Sequence, residues 1–139
     1  MSRVLQSAHV GVKVRLAIMW AVIMFFYIYN DIFMLLKAAR NGEGLSTSPL
    51  DELALLVYAL IITPPALMPL LCLVLKPALN RWVNIIVGTA YFSIIVWTVM
   101  PLNTSWFYRY IGVVENLVTL ATIWTAWRWP RDERASEVS

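Results

Sequence analysis

Two carboxylic acids, Asp31 and Glu115, each lie inside a long, mostly apolar stretch. A carboxylate at the centre of a membrane helix costs about 2.5–3.5 kcal/mol on insertion scales, so each requires a reason for being there. Asp31 precedes Lys37 by six residues, and Glu115 follows Arg109 by six. At a rise of about 1.5 Å per residue, each acid sits roughly 9 Å inside its cation, which predicts a common depth in the bundle. Two carboxyl groups on one level would form a shared acid site. They cannot both be charged in lipid, so one is expected to be neutral, or Arg109 or a cationic ligand compensates.

Polar and small residues surround these acids at helical spacing. Tyr27 lies one turn before Asp31, and Asn30 and Asn116 flank the two acids in sequence. Tyr108, Gly112, Glu115, Thr119, Thr122 and Ala126 fall on one face of a helix, with Val113, Leu117, Leu120, Trp124 and Trp127 opposite. Asn84, Gly88, Tyr91 and Thr98 form a second stripe. Such residues let membrane helices approach closely and hydrogen-bond across the gap. Trp97, Tyr27 and Tyr91 are candidates to line an aromatic pocket for a cation or a flat ligand. The candidate ligand-binding set is Asp31, Glu115, Tyr27, Tyr91, Asn30, Asn116, Thr119 and Arg109. The competing reading makes the same acids a structural clamp between the first and last helices, with the asparagines and threonines as packing contacts.

The elements that must position these residues follow from composition. The chain has 139 residues, 60% hydrophobic and only 14% charged, with a mean hydropathy of +0.70. A soluble domain carries about a quarter charged residues, so this is an integral membrane protein with the lipid bilayer as its first partner. Four segments approach the roughly 20 apolar residues that span a bilayer: 16–36, 53–75, 82–102 and 106–129. The expected fold is therefore all-α, a polytopic four-helix membrane bundle in a single domain. Arg3, Lys13 and Arg15 precede the first span, but that span is longer than a signal-peptide core and no A-x-A site follows, so it is expected to remain.

Charge placement predicts orientation. Eight basic residues (Arg3, Lys13, Arg15, Lys76, Arg81, Arg128, Arg131, Arg134) fall on one side, and Lys37, Arg40 and Arg109 on the other. The positive-inside rule then puts both termini in the cytoplasm. Trp82, Trp127 and Trp129 are expected at the inner interface and Trp106 at the outer one. Ser48-Pro49-Leu50-Asp51-Glu52 reads as a helix start, and 76–81 as a tight turn between spans two and three. Thr63-Pro64-Pro65 and Pro69 predict a kinked or locally unwound second helix, of the kind that frames a ligand path or merely shapes a bundle.

Missing residues exclude several chemistries. One cysteine, Cys72, cannot form an internal disulfide, and one histidine, His9, leaves no His pair for zinc or haem. No lysine lies within a span, and there is no H-E-x-x-H, G-x-S-x-G or phosphate loop. No cofactor and no metal is expected, and a net charge of +3 gives no reason to expect nucleic acid. An enzyme using two carboxyl groups on a lipid remains open, though no spacing demands it.

Tyr27-Ile28-Tyr29-Asn30-Asp31, Asn80-Arg81-Trp82-Val83-Asn84-Ile85-Ile86, and Glu115 with the Trp124–Trp129 exit resemble a family of small bacterial four-helix membrane proteins, a domain of unknown function. The resemblance covers about residues 13–130 and implies the fold but no activity. At the level of architecture alone the chain is similar to DoxX-type proteins. Small multidrug exporters also have four helices and a membrane glutamate, but theirs lies in the first helix, and the charge bias here departs from their dual topology. Three functions stay open: binding or moving a small hydrophobic or cationic molecule, acting as an accessory subunit in a homo-oligomer or beside a partner membrane protein, and modifying a lipid.

Overall fold

A computed structural model of the chain describes residues 10–42, 52–101 and 105–129. The expected helix start at Ser48–Asp51, and Arg3, His9, Arg131 and Arg134, lie outside the described residues. Four helices follow in order: α1 (Val12–Arg40), α2 (Glu52–Val74), α3 (Pro77–Val99) and α4 (Trp106–Trp127). The first three contain segments long and apolar enough to cross a membrane, Val12–Arg40, Leu55–Val74 and Pro77–Val99. α4 is nearly as long as α3, but Arg109, Glu115 and Asn116 lower its hydropathy.

The helices form a ring in which α1 touches α2 and α4, and α3 touches α4 closely and α2 lightly. α1 runs antiparallel to α4, and side-chain contacts fix the register. Lys37 Nζ donates to Ser105 Oγ at 2.6 Å, the Phe33 and Phe107 rings meet edge-on at 6.4 Å, and Tyr27 faces Glu115. The core sits toward the Val12 end and is built from Leu16, Ala17, Trp20, Ile23, Met68, Cys72 and Ala126. Toward the Arg40 end, α1 from Ile32 to Leu36 and α2 from Leu53 to Ile62 turn large apolar side chains outward.

Several boundaries and shapes differ from the sequence reading. α3 begins at Pro77 instead of near Trp82, because Pro77 suits the first helical position and Asn80 is drawn inward by a hydrogen bond. The turn between α2 and α3 thus shrinks to Leu75–Lys76. α2 is not unwound, since one helix runs through Pro64, Pro65 and Pro69. Lys13 Nζ donates to Leu73 O at 3.3 Å and Leu75 O at 2.7 Å, so a cation closes the negative end of α2.

The α3–α4 contact depends on two glycines without side chains. A Cβ at Gly88 would stand 2.7 Å from Ile123 Cγ1, and one at Gly112 would run into the stiff, β-branched Val99 side chain. Gly112→Ala is therefore expected to destabilise the bundle by about 1–3 kcal/mol. Val99→Ala in the same chain opens the space again and should recover most of that loss. Thermal unfolding of the single and double variants in detergent reads this directly, and additive losses would show that the two positions do not touch.

Candidate functional site

The inward face of α4 is the one its spacing predicts. Gly112, Glu115, Thr119, Thr122 and Ala126 are buried, while Val113, Leu117, Leu120, Trp124 and Trp127 face outward. Glu115 is only 3% exposed, and its Oε1 has no hydrogen-bond donor. The Tyr27 phenol on α1 faces this carboxyl, and Tyr91 and Tyr108 lie close enough to Tyr27 to interact with it. Asn30 Oδ1 and Asn116 Oδ1 are also buried without a donor. The α1–α4 register puts all three orphaned acceptors within about two turns of one another. Buried polar atoms are nearly always paired, so three unpaired acceptors in one stretch form an interior short of protons.

Asp31 is not part of this interior. It is exposed on the surface of α1, whereas Glu115 is enclosed. The common-depth expectation rested on Lys37 and Arg109 as equivalent markers, but the register sets Lys37 beside Ser105. Arg109 lies one turn deeper, so the two acids are offset by about 6 Å along the axis. Arg109 is turned toward the end of the bundle, donating from Nη2 to Pro101 O at 2.7 Å and stacking over Trp106. Thr119 is fully buried, but its hydroxyl donates to the carbonyl of Glu115 within the helix at 2.9 Å. Trp97 points outward, 82% exposed, away from Tyr27 and Tyr91.

Tyr91 has a specific partner: its hydroxyl donates to the carbonyl of Ile61 on α2. That carbonyl is the one a helix would pair with the N–H of residue 65, and residue 65 is proline. Tyr91 therefore replaces the donor that Pro65 removes.

A second polar cluster, near the Val12 end, is fully paired. Trp20 Nε1 donates to Asn84 Oδ1 at 2.7 Å, Asn84 Nδ2 donates to Asn80 Oδ1 at 2.7 Å and to Asn80 O at 2.8 Å, and Asn80 Nδ2 donates to Cys72 O at 2.5 Å. This chain ties α1, α2 and α3 together across the ring. All four residues are 0% exposed. Asn80 and Trp20 were missed from sequence. The available signal was the four-residue spacing of Asn80 and Asn84, which puts two amides on one helix face.

The match to protein-family models decides what this arrangement belongs to: residues 6–136 match the family of unknown function DUF6326. The chain is a member of DUF6326. No curated protein and no solved structure matches it. Membership in DUF6326 assigns no chemistry to Glu115 or to the asparagine clasp.

Two substitutions test these pairings. Tyr91→Phe is expected to cost about 1 kcal/mol in the parent chain and almost nothing with Pro65→Ala, which restores a backbone donor to Ile61. Equal losses in both backgrounds would show that Tyr91 acts only through packing. Asn84→Ala strands the Trp20 indole N–H and the Asn80 amide oxygen, and should cost about 2–4 kcal/mol in detergent unfolding.

Proposed function

We propose that this DUF6326 member is an integral membrane protein in which Glu115 accepts a proton or a small cation from within the bilayer. The observation that carries the reading is the set of buried acceptors without donors: Glu115 Oε1, Asn30 Oδ1 and Asn116 Oδ1. A carboxyl with an unfilled acceptor, faced by a phenol, is arranged to take up a proton or to accept from a hydrogen-bond donor such as an ammonium group. Asp31 is a peripheral acid on the same side of the bundle and serves at most as an entry point. Arg109 and Thr119 position the helix, and Tyr91 braces α2.

The membrane assignment rests on the three long apolar helices, and the orientation on the eight-to-three division of basic residues. Both termini then lie in the cytoplasm of a bacterial cell, and the Arg40 end faces outward. Three of the four arginine–tryptophan stacks among the described residues fall at the cytoplasmic end, the fourth being Arg109 over Trp106. Arg81 lies over Trp82 and Trp127, and Arg128 over Trp124, as a basic aromatic rim at the cytoplasmic end.

A second reading, as a subunit of a larger membrane assembly, is favoured by α2, whose half from Leu53 to Ile62 is exposed and apolar. Cysteine cross-linking at Leu56 and Leu60 in native membranes tests it, with adducts of defined mass as the supporting result.

The first reading is tested by reaction with dicyclohexylcarbodiimide, a lipid-soluble reagent that adds to protonated carboxyl groups. Mass spectrometry of the labelled protein should place the adduct on Glu115, and methylammonium, which carries N–H donors, should protect that position. Glu115→Gln should abolish this adduct and leave the protein folded, since the amide keeps the size of the side chain. Labelling confined to Asp31 would sink the reading, and labelling of Glu115 indifferent to the cation would restrict it to the proton.

A further inference from the structure

At the Arg40 end, the last turns of α1 and the first turns of α4 enclose an open groove of about 710 Å³. Its walls combine two chemistries. Phe33, Leu36, Phe107 and Ile111 supply an apolar surface, and Lys37 and Arg40 stand at its end, three residues apart on one helix face. Among the described residues that line it, none is acidic. Lys37 uses one ammonium proton on Ser105 Oγ and keeps two, while Arg40 is exposed, with no partner for its guanidinium among the described residues. The apolar wall continues along α1 through Ile32, Met34 and Leu35, all turned outward.

We propose that this groove binds one anionic phospholipid, with its headgroup phosphate on Lys37 and Arg40 and an acyl chain along Phe33 and Phe107. Charge complementarity selects the headgroup, since the two cations meet no carboxylate among the described residues of the lining. The apolar wall selects a ligand with a tail over a free anion. Its position at the bundle end, beside the exposed Trp106 and Tyr110, puts a phosphate at the height of a membrane interface. A basic site between helices that takes an anionic headgroup is physically ordinary, each cation near the surface contributing about 1 kcal/mol. The groove is separate from Glu115, which does not line it, so this proposal stands or falls independently of the carboxyl reading.

Native mass spectrometry of the full chain released from micelles tests it, with dioleoyl-phosphatidylglycerol and dioleoyl-phosphatidylcholine as probes. The expected result is preferential retention of the anionic lipid, reduced about five-fold by Arg40→Gln and further by Lys37→Gln/Arg40→Gln. Arg128→Gln, at the other end of the bundle, should leave retention unchanged. Arg40 is exposed and has no hydrogen-bond or ion-pair partner among the described residues, so its single variant remains interpretable if the double variant is unstable. Equal retention of the two lipids, or anionic-lipid retention unchanged by Arg40→Gln, overturns the proposal. Displacement of the lipid by inorganic phosphate reduces the groove to a simple anion site and overturns the phospholipid assignment.

Discussion

In a membrane interior, a polar group has no water to fall back on and must find its partner inside the protein. Much of this bundle answers that demand. Pro65 deprives Ile61 of its backbone donor, and Tyr91 supplies one from the neighbouring helix. The last carbonyls of α2 are met by Lys13 and Asn80. Two asparagines, an indole and a backbone carbonyl close a chain of hydrogen bonds through the core. Against this thoroughness, the unpaired oxygens of Asn30, Glu115 and Asn116 stand out. A fold that supplies a donor at Pro65 and closes the end of α2 leaves these three acceptors open in one neighbourhood, which is the basis of the role proposed for Glu115.

The two ends of the bundle are built differently. Near Val12 the core is sealed, and hydrogen bonds join three helices. Near Arg40 the α3–α4 pair stays in contact through Gly112 and Val99, while α1 and α2 turn apolar side chains to the outside. The two pairs also meet at the Arg40 end, through Lys37–Ser105 and Phe33–Phe107, so the first half of α2 is the part left least covered there.

Part of this was legible in the sequence. Helical periodicity picked out the buried face of α4, since one repeating pattern decides which side of a helix is enclosed. Asn84, Gly88 and Tyr91 likewise fell on the inward stripe of α3, although Thr98 at its end is exposed. What was not legible depended on register between helices. Depth counted from Lys37 and Arg109 paired Asp31 with Glu115, but only the Lys37–Ser105 contact shows that those cations lie on different levels. The partner of Tyr91 was hidden for the same reason: both the proline and the phenol were visible, but not their alignment. Asn80 was concealed by its neighbours, because Lys76, Pro77 and Arg81 made a helix start look like a turn.

The burial of Trp20 has an optical consequence. The chain has seven tryptophans, and of these only Trp20 is fully enclosed, with its indole N–H bonded to Asn84. Trp82, Trp97, Trp106, Trp124 and Trp127 are exposed on the outside of the bundle, open to quenchers dissolved in water or carried on lipid chains. With Trp129 half-buried against the core, the intrinsic fluorescence of the protein therefore divides into a quenchable surface population, one intermediate emitter and one shielded emitter. That shielded emitter reports on the joint between α1 and α3, so the integrity of the clasp can be followed by light without adding a label.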